Sequence, residues 1–263
     1  MLTLQGIHKR YGRNRVLSGV DLTVPAGASA AIIGGNGSGK STLLRIAVGA
    51  TVPTAGAARR PARVGYVPER LPATLRMNAT QYLLHMGRIR GLDTATIRGR
   101  ATDLLDRLGL VPGPDVPIGT LSKGNNQKVA IAQALLVPTE LLVLDEPYSG
   151  LDGPAAAECT ALIEEARGRG AAVVVSAHSS AAAPPTDRRF ELSDGRINAG
   201  ERPAMRVVLR AVEERAAIAE LARVPGVRSV GGDPAAAIVL TEDADELLRY
   251  ALMHGWSLQE ARG

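Results

Sequence analysis

The run Gly34-Gly35-Asn36-Gly37-Ser38-Gly39-Lys40-Ser41 constrains this chain more than any other stretch, because it has the spacing G-x-x-x-x-G-K-S. An apolar run from Ala28 to Ile33 precedes it and reads as a buried strand. Leu43-Leu44-Arg45-Ile46 follows and reads as a helix. A strand, a glycine-rich loop and a helix in that order turn successive backbone N–H groups toward one point. The helix N-terminus adds positive potential there. Lys40 is spaced to reach the outer phosphates of a nucleotide, and Ser41 to offer its hydroxyl to magnesium. A glycine-rich turn without a ligand is the plainer alternative. Eight positions in the right frame argue against it.

A second signal lies at Leu141-Leu142-Val143-Leu144-Asp145-Glu146-Pro147. Four apolar residues on a central strand deliver two carboxylates to its C-terminal end. Asp145 is placed to hold magnesium, directly or through water, and Glu146 to polarise a water for in-line attack on a γ-phosphate. An acidic turn closing a strand is common by itself, and the phosphate loop upstream tips the balance toward function. A third signal, Leu121-Ser122-Lys123-Gly124-Asn125-Asn126-Gln127-Lys128, opens a helix with Ser122 as its N-cap. On physical grounds alone this reads as an ordinary capped helix.

Around these motifs, short apolar runs alternate with helical periods. Val64 to Val67 and Ala172 to Ser176 read as buried strands, and Val20 to Val24 as a half-buried one. Helical spacing runs from Asn78 to Leu110, from Lys123 to Leu136 and from Gly153 to Arg169. Continuous apolar strands alternating with helices predict a mostly parallel sheet covered on both faces. The segment from Gly195 to Pro203 marks a boundary. Beyond it the pattern reads strand (Met205 to Leu209), helix (Glu213 to Val224), strand (Ala237 to Leu240) and helix (Asp245 to Met253).

Composition excludes several alternatives. Aromatic residues make up 3% of the 263, too few for a platform that stacks single-stranded nucleic acid. The net charge is +5, but the arginines are scattered on what read as solvated faces, so no nucleic-acid partner is expected. The single cysteine, Cys159, lies in an alanine-rich helix and fits a reducing compartment. No apolar run approaches the ~20 residues that span a bilayer, and the N-terminus lacks a signal-peptide pattern. A soluble, cytoplasmic chain is expected.

In order and content, these segments resemble the ATP-binding cassette ATPases over roughly residues 1–200. That family's signature, Leu-Ser-Gly-Gly-Gln, is similar to Leu121-Ser122-Lys123-Gly124-Asn125. Asp145-Glu146 match its magnesium-binding and general-base pair, and Ser149-Gly150-Leu151-Asp152 its D-loop. His178 matches its switch histidine, and Tyr11 the aromatic that stacks on adenine. The resemblance implies a P-loop cassette of α/β class at residues 1–202. It has a mostly parallel central sheet, N-terminal antiparallel strands and a helical subdomain inserted over about 71–138. A small accessory α+β unit follows at 203–263.

The same resemblance implies ATP and Mg2+ as ligands. It implies a head-to-tail dimer in which each ATP lies between Gly34–Thr42 of one copy and Ser122, Gly124 and Asn125 of the other, with Asp152 communicating across the interface. His178 would contact the γ-phosphate. A separate transmembrane permease would dock on the helical insertion, roughly Leu71 to Leu110, which places the chain on the inner face of the membrane. Two departures stand out. Glu69 occupies the place of the family's usual magnesium-facing glutamine, and Lys123 and Asn125 replace signature residues. Both variants, with the C-terminal extension, resemble the ATPases of ABC-2-type exporters, including antibiotic exporters. An importer subunit and a soluble cassette acting on ribosomes or DNA stand as alternatives.

Overall fold

The computed structural model describes residues 1–199, 205–212, 217–242 and 244–262. The expected division at 202/203 and the start of the expected helix at Glu213 lie outside the described residues. The chain forms two compact units, Met1–Thr186 with Phe190–Ala199, and Asp187–Arg189 with Gly200–Gly263.

In the first unit, β1 (Leu2–Tyr11), β2 (Asn14–Val24) and β4 (Ala55–Arg59) form an antiparallel sheet in the order β2-β1-β4. A second sheet runs β5-β6-β7-β3-β8-β9, from β5 (Val64–Val67), β6 (Leu141–Leu144) and β7 (Ala172–Ala177) to β3 (Ser29–Ile33), β8 (Arg188–Ser193) and β9 (Arg196–Ala199). Strands β5, β6, β7 and β3 are parallel.

The apolar strands follow from burial on both faces. In β6, Leu141 and Val143 pack with the residues of β1, β2 and α1 (Lys40–Val48). Leu142 and Leu144 pack on the other side, with α4 (Lys123–Leu135) and α5 (Gly153–Gly168). Side chains alternate across a strand, so a strand with two covered faces has no polar position to spare. Each fully buried leucine contributes ~1.5–3 kcal/mol. Helices α2 (Ala79–Ile89) and α3 (Thr94–Arg107) cover the same side with Leu83, Ile97, Leu104 and Leu105 buried.

Strand β4 carries little periodic signal. Ala55-Gly56-Ala57-Ala58-Arg59 has almost no apolar alternation and is mostly exposed, and only pairing with β1 makes it a strand. Strand β1 lies between β2 and β4, so Tyr11 ends a central strand and not an edge.

The second unit has the order β10 (Met205–Ala211), α6 (Ile218–Leu221), β11 (Val227–Asp233), β12 (Ala236–Thr241), α7 (Ala244–Met253) and β13 (Trp256–Arg262). Its sheet is antiparallel, ordered β11-β12-β10-β13, around a core that includes Leu209, Val239, Leu247 and Trp256. This β-α-β-β-α-β connectivity is the split βαβ, or ferredoxin-like, arrangement. Two of its strands exceed the expected two. Strand β11 contains Gly231-Gly232-Asp233 and is largely exposed, which hides it from a hydrophobic pattern.

Candidate nucleotide site

The strand order sets the site. In a parallel sheet, loops leaving the C-terminal ends converge on one edge. Read across β5, β6, β7 and β3, that edge carries the loop with Glu69, then Asp145-Glu146, then Ser176 to His178, then Gly34 to Ser41. In-register pairing places Val67 beside Leu144, Leu144 beside Val175, and Ile33 beside Ala177.

Helix α1 begins at the phosphate loop without a capping side chain. Its N-cap is Gly39, at φ 104°, and its first turn holds no acidic residue. By contrast α2, α3, α4 and α5 are capped by Asn78, Asp93, Ser122 and Asp152. The free N–H groups at the start of α1 are therefore available to an anion. Ser38 Oγ is buried without a hydrogen-bond partner, a polar atom that a phosphate oxygen would satisfy. Gly35, Asn36 and Gly37 are exposed, Gly34 is buried, and Ser41 and Thr42 are partly buried at the helix start. A cleft of about 590 Å³ borders Gly34–Ser38, lined also by Asn14, Arg15 and the turn between β8 and β9.

Lys40 is buried. Its Nζ donates to Gly34 O at 2.7 Å and Gly35 O at 3.1 Å, and lies 3.5 Å from Glu146 Oε1. The ammonium thus joins the phosphate loop to the second carboxylate. Glu146 has a left-handed backbone, φ 49°, in a region unfavourable for a residue with a Cβ. Its N–H donates to Ser176 Oγ at 2.9 Å, and Ser176 Oγ donates to Asp145 Oδ1 at 2.7 Å. Asp145 is buried, and its N–H continues the ladder to Val67 O. Burial raises the Tyr66 phenol pKa, and the nearby Asp145 carboxylate adds to that rise.

Among the described residues, no three His, Cys, Asp or Glu side chains cluster into a metal cage. A magnesium ion held beside phosphates keeps waters and takes only one or two carboxylates. Ser41 and Asp145 fit that role. Glu69 is exposed on its loop, and His178 is exposed just past the end of β7.

The remaining expected residues lie apart from this row or serve local contacts. Tyr11 is 48% exposed, with Lys9 Nζ 4.9 Å above its ring. Ser122 Oγ caps α4 by accepting from Asn125 N–H, and Asn125 Oδ1 accepts from Val111 N–H. Gly124 packs against the D-loop of its own chain. A Cβ there would lie 3.1 Å from the Gly150 carbonyl carbon and closer to its oxygen. Asp152 caps α5 through Ala155 N–H and pairs with Lys128 Nζ at 3.0 Å, which also holds Gly109 O. Those bonds, the Ala155 N–H first, hold the Asp152 carboxyl below its ordinary pKa.

Sequence reasoning missed Ser176 and Lys128. Ser176 is the sole polar residue of an otherwise apolar buried strand, and that was a visible signal. A separate cleft, about 940 Å³ and lined by Arg59, Arg60, Arg63 and Arg90, lies at the start of β5 and β6 and contains none of these residues.

Residues 17–149 match the family described as ABC transporter. The chain belongs to that family. This ABC ATPase is 41% identical over 174 residues to the zinc import ATP-binding protein ZnuC of Cereibacter sphaeroides, covering 64% of this chain and 69% of that one. It is 35% identical over 164 residues to the Nod factor export ATP-binding protein I of Ralstonia nicotianae, covering 58% and 51%. Among solved structures it is similar to the ATP-binding cassette MJ0796 in a dimeric post-hydrolysis state bound to ADP and phosphate. That match has 25% identity and a TM-score of 0.70, over 77% of this chain and 98% of that one. The chain is an ATP-binding, ATP-hydrolysing subunit of the ABC transporter family. No helix among the described residues is long and apolar enough to cross a membrane.

Proposed function

We propose that this ATPase drives export through a separate transmembrane permease. The observation that supports the site assignment most directly is the Lys40 bridge between the phosphate loop and Glu146. The N–H groups of Gly35 to Ser41 and the Lys40 ammonium bind the phosphates of ATP. Ser41 and Asp145 would hold Mg2+, with Glu69 on the adjoining loop, and the ion would supply positive charge against the phosphates. Glu146 orients the attacking water and takes its proton, and His178 contacts the γ-phosphate. Tyr11 stacks on adenine through the face that Lys9 leaves open. Two copies close head to tail, so that Ser122, Gly124 and Asn125 of one cover the nucleotide of the other, with Asp152 at the junction.

Glu146→Gln is expected to bind ATP, to lose turnover and to accumulate as an ATP-bound dimer, read by size-exclusion chromatography. Turnover at the normal rate would refute the base assignment. Direction rests on the signature variants Lys123 and Asn125 and the C-terminal unit, which are similar to ABC-2-type exporters. The 41% identity to a zinc import subunit favours import as a second reading. Reconstituting the chain with the permease in vesicles, with ATP on one side only, separates the two by which compartment the cargo enters.

A further inference from the structure

We propose that Ser176 is a positioning residue for ATP hydrolysis, fixing Asp145 and Glu146 relative to each other. This inference rests on the assignment of those carboxylates given above. Strand β7 is otherwise Ala172, Val173, Val174, Val175 and Ala177, and every one of its residues is buried. A hydroxyl in such a strand is costly unless its hydrogen-bonding capacity is used. Ser176, 1% exposed, uses it in one direction only. A backbone N–H can only donate, so Ser176 Oγ accepts from Glu146 N–H at 2.9 Å. The single hydroxyl proton then goes to Asp145 Oδ1 at 2.7 Å. The register explains the reach. Val175 pairs with Leu144, so the next residue on each strand, Ser176 and Asp145, stand side by side on the same face.

Two consequences follow for the chemistry. The bond to Oδ1 fixes the plane of the Asp145 carboxylate and leaves its second oxygen for an outward ligand. The bond from Glu146 N–H supports the left-handed backbone at φ 49° that aims the Glu146 side chain toward Lys40. Without the hydroxyl, Asp145 can rotate and the Glu146 N–H loses its acceptor. The Lys40 bonds to Gly34 O and Gly35 O do not involve Ser176 and remain.

The test is Ser176→Ala in the full chain, beside Ser176→Thr, which restores the hydroxyl. Steady-state turnover is compared with binding of a fluorescent ATP analogue in Mg2+ and in EDTA. Ser176→Ala should lower kcat roughly 10-fold to 100-fold, as misplaced catalytic groups do, with a much smaller change in KM for ATP, because the Lys40 bonds to Gly34 O and Gly35 O do not involve Ser176. Analogue affinity in EDTA should be unchanged, while its gain on adding Mg2+ shrinks. Ser176→Thr should recover most of both losses. Asp145→Asn and Glu146→Gln serve as references. If they are inactive and Ser176→Ala turns over normally, or loses affinity equally in EDTA, the positioning role is overturned. If the references are themselves fully active, the carboxylate assignment falls and the role of Ser176 falls with it.

Discussion

Gly124→Ala adds one methyl group where α4 meets the D-loop, and the structure gives both sign and size of its effect. The new carbon would lie 3.1 Å from the Gly150 carbonyl carbon and nearer to its oxygen. Both neighbours are backbone, so no side chain can rotate away and one segment must shift. Overpacking of this kind costs ~1–3 kcal/mol. Alanine in a helix regains about 1 kcal/mol over glycine, which leaves a net loss of up to ~2 kcal/mol. With a urea m-value of ~2 kcal/mol/M, the midpoint should fall by up to about 1 M. Gly99→Ala is the matched control. It lies inside α3 with nothing within 4 Å of the added carbon, so it should gain ~0.5–1 kcal/mol. Circular dichroism at 222 nm follows both, since α1 to α5 dominate that signal. Nucleotide binding to the phosphate loop should survive in Gly124→Ala, while ATP turnover falls about tenfold or more as the signature turn is displaced. Equal midpoint shifts for Gly124→Ala and Gly99→Ala would refute the close-approach reasoning. Normal turnover in Gly124→Ala would refute the functional part.

Arg107 bonds Glu158 at 2.6 Å and also Glu165, tying α3 to α5, and its hydrogen bond is the main cause holding the Glu165 carboxyl below its ordinary 4.5. A depressed carboxyl contributes stability that is complete above the unfolded value and lost as pH falls through the folded one. Arg107→Met should therefore be less stable than the parent at pH 7, by about 1 kcal/mol or less for so exposed a pair. The difference should shrink as pH falls below 4.5 and through the lower folded value; urea midpoints at pH 7 and at pH values stepped down from 4.5 check it. Cys159 is buried on α5 and burial pushes its thiol up to about 12. It should resist a thiol reagent at pH 8 until the chain is denatured, and rapid labelling of the folded protein would contradict this.

The sequence made the first unit's central sheet legible because β3, β5, β6 and β7 are covered on both faces and so read as unbroken apolar runs. Helices α2 to α5 announced themselves through helical spacing from Asn78, Lys123 and Gly153, and Ser122 was readable as a cap. Strands β4 and β11 gave no such sign. One is mostly alanine and glycine and the other largely exposed, so partner strands hold them and their own side chains do little. In the site, the phosphate loop and Asp145-Glu146 were visible because their chemistry is local. Ser176 lies 31 residues from Asp145, and Lys128 24 from Asp152. Each acts only once β6 and β7, or α4 and α5, are side by side. The inward ties of Gly124 and Asn125 were hidden for the same reason.

The ferredoxin-like unit has its first and last strands as neighbours, with Arg206 of β10 opposite Arg262 of β13. Because they run antiparallel, a chain threaded through the unit enters and leaves at a single corner. The stretch from β10 to β13 can therefore be gained, exchanged or deleted in evolution by two cuts in one place.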